Sequence, residues 1–281
     1  MRKAYPGLMF GTAGIPLSTE VRTTENGIAR VKELGLSAME LEFVRQVNIK
    51  ENKAPSVKKA AIGNGVFLTC HGQYFINLNS LEKAKTEASM DRIFKAARIA
   101  YLCGADSMTF HAAYYMNIEN QKVYATVKRN LGAVIRRLKD ESIDIWIRPE
   151  TTGKATQFGD VDEIVKLSQD LENVLPCVDF THLFARSIGK VNSRDDFSEA
   201  LAKIEKGLGS QALKNMHIHM SGMNYGPKGE RNHLVLKESE FNYKAVLESL
   251  KGFKAAGVVI SESPNIEDDA LLMKRTYEKP G

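Results

Sequence analysis

Cysteine is scarce in this chain. Its three thiols, Cys70, Cys103 and Cys177, are odd in number, far apart and in no Cys-x-x-Cys pair. That excludes a disulfide framework and fits reduced thiols in an intracellular protein. No run approaches the roughly 18 continuous apolar residues of a membrane span. The basic start, Met1-Arg2-Lys3, leads into no apolar stretch long enough for a signal peptide, so a cytoplasmic protein with no membrane partner is expected. No low-complexity segment marks a linker. No Gly-x-Gly-x-x-Gly follows an early strand, and there is no P-loop, so the usual nucleotide signatures are missing. Charge is not extreme: a net +5 and a pI near 8.9 permit an anionic partner without demanding one.

What is present is an alternation. Short apolar runs at Leu8–Thr12, Ala38–Phe43, Val66–Cys70, Ser107–Phe110, Ile143–Ile147, Val174–Val178, Met216–Met220 and Val258–Ser261 are each followed by a stretch of helical periodicity. Glycines close several helices, Gly35, Gly104, Gly209 and Gly257 among them, and Asp160 is placed to cap one. Eight strand–helix repeats in about 250 residues imply one α/β domain over residues 1–281, a closed (β/α)8 TIM barrel.

The functional signal lies at the strand ends. The chain has only six histidines: His71, His111, His182, His217, His219 and His233. Five lie in, at or just after the C-terminal end of an expected strand. Glu150, Asp179 and Glu262 occupy the matching place after three strands. In a barrel those ends meet on one face, where active sites sit. Imidazoles and carboxylates converging there would be left unsatisfied without a cation. A single zinc ion needs three or four protein ligands, and this set exceeds that.

Six segments together resemble a family. His71-Gly72-Gln73-Tyr74 with Ile76-Asn77-Leu78, Phe110-His111, Glu150-Thr151-Thr152-Gly153, Asp179-Phe180-Thr181-His182-Leu183-Phe184-Ala185, Met216-His217-Ile218 and Glu262 are similar, in order, to the motifs of the endonuclease IV group. That group, apurinic/apyrimidinic endonuclease family 2, belongs to the xylose-isomerase-like barrels. The resemblance implies a zinc-dependent enzyme with two or three ions, manganese being a possible substitute. It is expected to act as a monomer on double-stranded DNA and to cut 5′ to abasic sites in base excision repair. By the same resemblance His71, His111 and Glu150 hold one ion. Glu150, also the catalytic residue least able to be replaced, bridges to a second ion on Asp179, His217 and Glu262. His182 belongs to a third site.

Three places depart from the family pattern. The first strand reads Gly11-Thr12-Ala13-Gly14 where the family has His-x-Ser. After the seventh strand an Asp-x-His pair is replaced by Glu230 and His233 at a wider spacing, which favours His233 as a ligand over Glu230 and leaves the third site open. His219 follows His217 on the same strand face; His217 is expected to ligate, with His219 behind it. Glu42, ending the second strand, either reaches the pocket or serves as a solvated or capping carboxylate. For substrate, Arg45, Lys50, Arg186, Lys190, Lys228 and Arg231 lie in loops after strands, where cations position DNA phosphates. Arg186, Lys228 and Arg231 are the expected contacts. Tyr74 matches a family residue that enters DNA near the abasic site. The other class open to these residues is a sugar isomerase or epimerase with one divalent ion on Glu150, Asp179, His217 and Glu262.

Overall fold

Eight parallel strands form the centre of the molecule, of which a computed structural model describes residues 5–279. They are β1 (Leu8–Ala13), β2 (Ala38–Glu42), β3 (Phe67–His71), β4 (Ser107–Phe110), β5 (Trp146–Pro149), β6 (Cys177–Asp179), β7 (Met216–Met220) and β8 (Gly257–Ser261). Their order is β5-β4-β3-β2-β1-β8-β7-β6. The two ends of that order meet through single bridges, Ile147 with Val174 and Glu150 with Cys177. The ring is therefore closed into the expected (β/α)8 barrel. Its β5–β6 seam is sparse for a reason visible in the sequence: Pro149 and Pro176 lie along it, and proline offers no N–H to a ladder.

Capping chemistry sets the helices. Thr23 caps Thr24–Glu33 by accepting from Asn26 N. Asp160 with Glu163, and Ser193 with Asp196, make reciprocal capping boxes on Val161–Asp170 and Arg194–Leu208. None of the described helices is long and apolar enough to cross a membrane.

Period two sorts the strand residues. Leu41, Leu68, Met108, Ile147, Ile218 and Val259 join the large cluster packed with the helices. Ala38, Val258 and Ile260 form a smaller one with Met9 and Ala13. Higher in the barrel the interior turns polar: Glu40, Thr69, Ser107, Arg148, His217 and His219 are all buried.

Several elements differ from the sequence pattern, the sixth strand among them, which starts at Cys177 and not Val174. The fifth strand starts at Trp146, not Ile143. Ser142 takes a left-handed φ of 56°, and Ile143 N donates to Leu138 O at 2.9 Å, so Ile143 and Ile145 bury as a lead-in. A helix, Phe180–Arg186, also begins directly after β6. Beyond β7 the chain adds an antiparallel hairpin, Gly222–Gly226 with Gly229–Leu234.

Candidate metal centre

The C-terminal strand ends converge on one cavity. It is lined by His71, His111, Glu150, His182, Glu230, His233 and Glu262 among others. Glu150 is fully buried at its floor. Its Oε2 lies 3.4 Å from His71 Nε2. Its Oε1 lies 3.4 Å from His111 Nε2 and 3.1 Å from His182 Nδ1. Asp179 has two tasks. Its Oδ1 accepts from His182 N at 2.8 Å and caps the helix that follows, while Oδ2 faces the site, 3.3 Å from His182 Nδ1. Capping thus does not send His182 to the surface: it is 3% exposed.

The structure reverses the expected order of the two histidines on β7. His219 groups with Glu150, Asp179 and Glu262, their donor atoms all within 4.8 Å of one another. His217 does not. Register is the reason: β6 pairs with β7 so that Asp179 stands opposite His219, and Cys177 opposite His217. His217 is therefore one layer deeper, with Nε2 2.9 Å from Glu40 Oε2 and Nδ1 3.1 Å from Ser107 Oγ. A single-cation set would draw on His219 in the same way.

Glu230 is the second correction. Its Oε2 lies 3.2 Å from His182 Nε2, and the His233 ring lies 6.2 Å from the same ring between centroids. On a regular strand Glu230 and His233, three apart, would face opposite ways. The hairpin has a bulge: Asn224 pairs with Asn232 and Tyr225 with Glu230, so Arg231 is the extra residue. The bulge shifts the alternation by one and puts Glu230 and His233 on the same face. Gly153 lets the carboxylate in, since a Cβ there would collide with Glu230 Oε2. The wide spacing thus still brings both side chains to one side of the hairpin.

Glu40 is the residue that sequence reasoning missed. It accepts from Thr69 Oγ1 at 2.8 Å and meets both His217 and His219. The available signal was its place two residues before Glu42, on the same inward face of β2. Arg186 stands beside the loop after β5. Its guanidinium is half-buried and donates to Thr152 Oγ1 and Gln157 O at 3.1 and 3.0 Å and to Lys154 O. Through this one nitrogen, Nη1, it braces the loop after β5. Lys228 and Arg231 are exposed on the hairpin, and Tyr74 on the loop after β3.

Electrostatics show what the cavity demands. Burial opposes charge on His71, yet the Glu150 hydrogen bond and the charges of Glu150, Glu42 and Glu262 raise it to about 10. His182 and His219 are raised well above the ordinary value, against burial, by the surrounding acids. Burial pushes Asp179 up to about 6, helped by Glu262 and Glu150 and opposed by His182 and His219. Burial, then Glu40 and Glu262, raises Glu42 to about 8. Among the described residues Glu150 Oε1, Asp179 Oδ2, His219 Nδ1 and Glu230 Oε2 are shielded from solvent and make no hydrogen bond. Unpaired buried acceptors crowded together are costly. Oxygen and imidazole donors at this spacing suit a divalent ion of the zinc or manganese kind. The residues present fit such ions.

Comparison with known proteins places the fold. The sequence profile described as "Xylose isomerase-like TIM barrel" matches residues 28–277. The chain belongs to that family. It is 44% identical over 97% of its length, and 97% of the other's, to "Uncharacterized protein MJ0133" of Methanocaldococcus jannaschii. Among solved structures it is similar to a D-tagatose 3-epimerase-like protein, at 18% identity and a TM-score of 0.71 over 94% of each chain. It is similar also to endonuclease IV from Thermus thermophilus, at 17% identity and a TM-score of 0.68 over 95% of this chain and 97% of that one. At such identity these two show the shared barrel alone.

Proposed function

We propose that the protein is a metal-dependent phosphodiesterase that incises double-stranded DNA 5′ to abasic sites, using two or three divalent ions. One observation carries the reading. Two donor groups meet at the strand ends, His71, His111 and Glu150, and Glu150, Asp179, His219 and Glu262; His182 and Glu230 pair beside them, with His233 close by. A one-cation sugar epimerase needs only the group of Glu150, Asp179, His219 and Glu262, and the other donors would be surplus.

Ions bound there would supply Lewis acidity, lowering the pKa of water and neutralising a phosphodiester oxygen. The chain supplies the rest. Glu150, touching residues of two groups through different oxygens, would set their separation. Backbone carbonyls orient the imidazoles: His71 Nδ1 lies 2.7 Å from Gly72 O, His182 Nδ1 2.9 Å from Thr151 O and His233 Nδ1 3.0 Å from Glu262 O. Each neutral ring then carries its proton on Nδ1 and turns the Nε2 lone pair inward. At the rim Tyr74 and Phe75 are each 64% exposed and Tyr114 is 40% exposed, which offers aromatic faces for unstacked bases. Lys228 and Arg231 would position the backbone.

The assay is a labelled duplex with one abasic analogue, with and without a strong chelator. Incision 5′ to the analogue, abolished by chelation, is expected. A protein that leaves the duplex intact with zinc or manganese supplied, yet interconverts a ketose and its epimer, would be a one-cation sugar enzyme instead.

A further inference from the structure

His219 is held differently from its neighbours. His71, His182 and His233 rest Nδ1 on backbone carbonyls. His219 turns Nδ1 towards the site, 3.5 Å from Glu150 Oε1 and 3.4 Å from Glu262 Oε1. Its Nε2 points down into the barrel, 2.8 Å from Glu40 Oε1. There, no backbone carbonyl is needed to fix the ring; a buried carboxylate is in its place.

The hydrogens below His219 have a consistent arrangement. An ionised Glu40 only accepts. Thr69 Oγ1 donates to Glu40 Oε2 at 2.8 Å. His217 Nε2 lies 2.9 Å from the same oxygen and so carries the proton. His219 Nε2 carries one for Oε1. The two Nε2 atoms are 3.2 Å apart, and since both carry hydrogen neither can accept from the other. His217 Nδ1 is left to accept from Ser107 Oγ at 3.1 Å. In this arrangement each Glu40 oxygen faces one imidazole Nε2, and His219 Nδ1 keeps an open lone pair. No fourth cation is needed in this layer.

We propose that Glu40 is a positioning residue: braced by His217 and Thr69, it faces His219 Nε2 and fixes that ring in the Nε2–H tautomer, so that Nδ1 is the metal donor. The proposal rests on the metal-binding part of the function above and not on the reaction. A carboxylate behind a ligating imidazole also raises its basicity, and losing such a partner typically weakens metal binding roughly 10- to 100-fold.

The test is two-bond proton–nitrogen NMR on zinc-loaded protein labelled with 15N-histidine, alongside Glu40→Gln. In the wild type, His219 should show zinc at Nδ1 and hydrogen at Nε2, and His217 hydrogen at Nε2. A glutamine has one acceptor oxygen and must aim an NH2 at one of the two rings. That ring must then accept at Nε2 and move its hydrogen to Nδ1. One histidine should therefore switch tautomer in Glu40→Gln, and zinc affinity should fall roughly 10- to 100-fold if the switched ring is His219. A wild-type His219 with hydrogen on Nδ1, or a variant in which neither ring switches, would overturn the proposal. If Glu40→Gln does not fold, the wild-type spectrum alone decides. Failure to cut DNA with these tautomers in place would sink the phosphodiesterase and leave Glu40's role standing.

Discussion

Glu150 offers one oxygen to His71 and the other to His111 and His182, so its charge is shared between groups. Glu150→Gln keeps the shape and removes that charge. Elemental analysis should show one ion fewer, and incision should slow by two to four powers of ten, about 3 to 5 kcal/mol of barrier; full activity would remove Glu150 from the chemistry. His71 supplies a pH test on metal-free protein. Its pKa of about 10 in the fold, against 6.5 for the free residue, means that the folded state keeps a proton the unfolded chain gives up. That stabilisation is complete below about pH 6.5 and is lost as pH rises to 10. The thermal midpoint of chelated protein should fall across this window, less steeply in His71→Ala, and zinc-loaded protein should not show the fall. The strand-end donors were legible because a buried strand that ends in a polar residue is readable without knowing its neighbours. His219's priority over His217 was not, since period two turns both inward and only pairing with β6 separates them. Glu40 sits mid-strand, where the strand-end rule does not look.

The hairpin after β7 shows the same limit one level up. A Gly226-Pro227-Lys228-Gly229 turn could have signalled it, but the bulge at Arg231 exists only in the pairing. Deleting Arg231 leaves Glu230 and His233 two apart on a regular strand, still sharing a face, so metal content should hold. Deleting Arg231 and Asn232 together makes them adjacent and opposed, and one ion should be lost. Equal metal content in both deletions would show that the hairpin holds no ion. The helices were readable closely because their caps are local chemistry: Asp160 and Gly209 stand where expected. The fifth strand was misread by three residues because Ile143 and Ile145 are apolar for the sake of packing, not pairing.

Across the whole molecule, alternation alone implied the barrel, since eight βα units leave few other closed arrangements. Charge on that frame is spread, not concentrated, so DNA affinity should rest on a few rim cations. Lys228→Ala and Arg231→Ala should each weaken duplex binding and reduce its salt dependence by about one counterion, with metal content unchanged; an unaltered salt slope would place the DNA elsewhere. The β5–β6 seam has a consequence of another kind. Its backbone bonds are few: Ile147 N to Asn173 O, Leu175 N to Ile147 O and Thr151 N to Cys177 O. Glu150 stands on one bank and Asp179 on the other, so an ion shared between them would tie the two banks together. Ligand binding to the folded state alone adds RT ln(1 + [L]/Kd) to its stability, and here that increment acts where the ring is thinnest. Chelation should speed hydrogen exchange first at the Thr151 and Leu175 amides. A cell short of metal would then hold this chain with that seam untied, exposed to proteases, and the protein's lifetime would follow its metal supply.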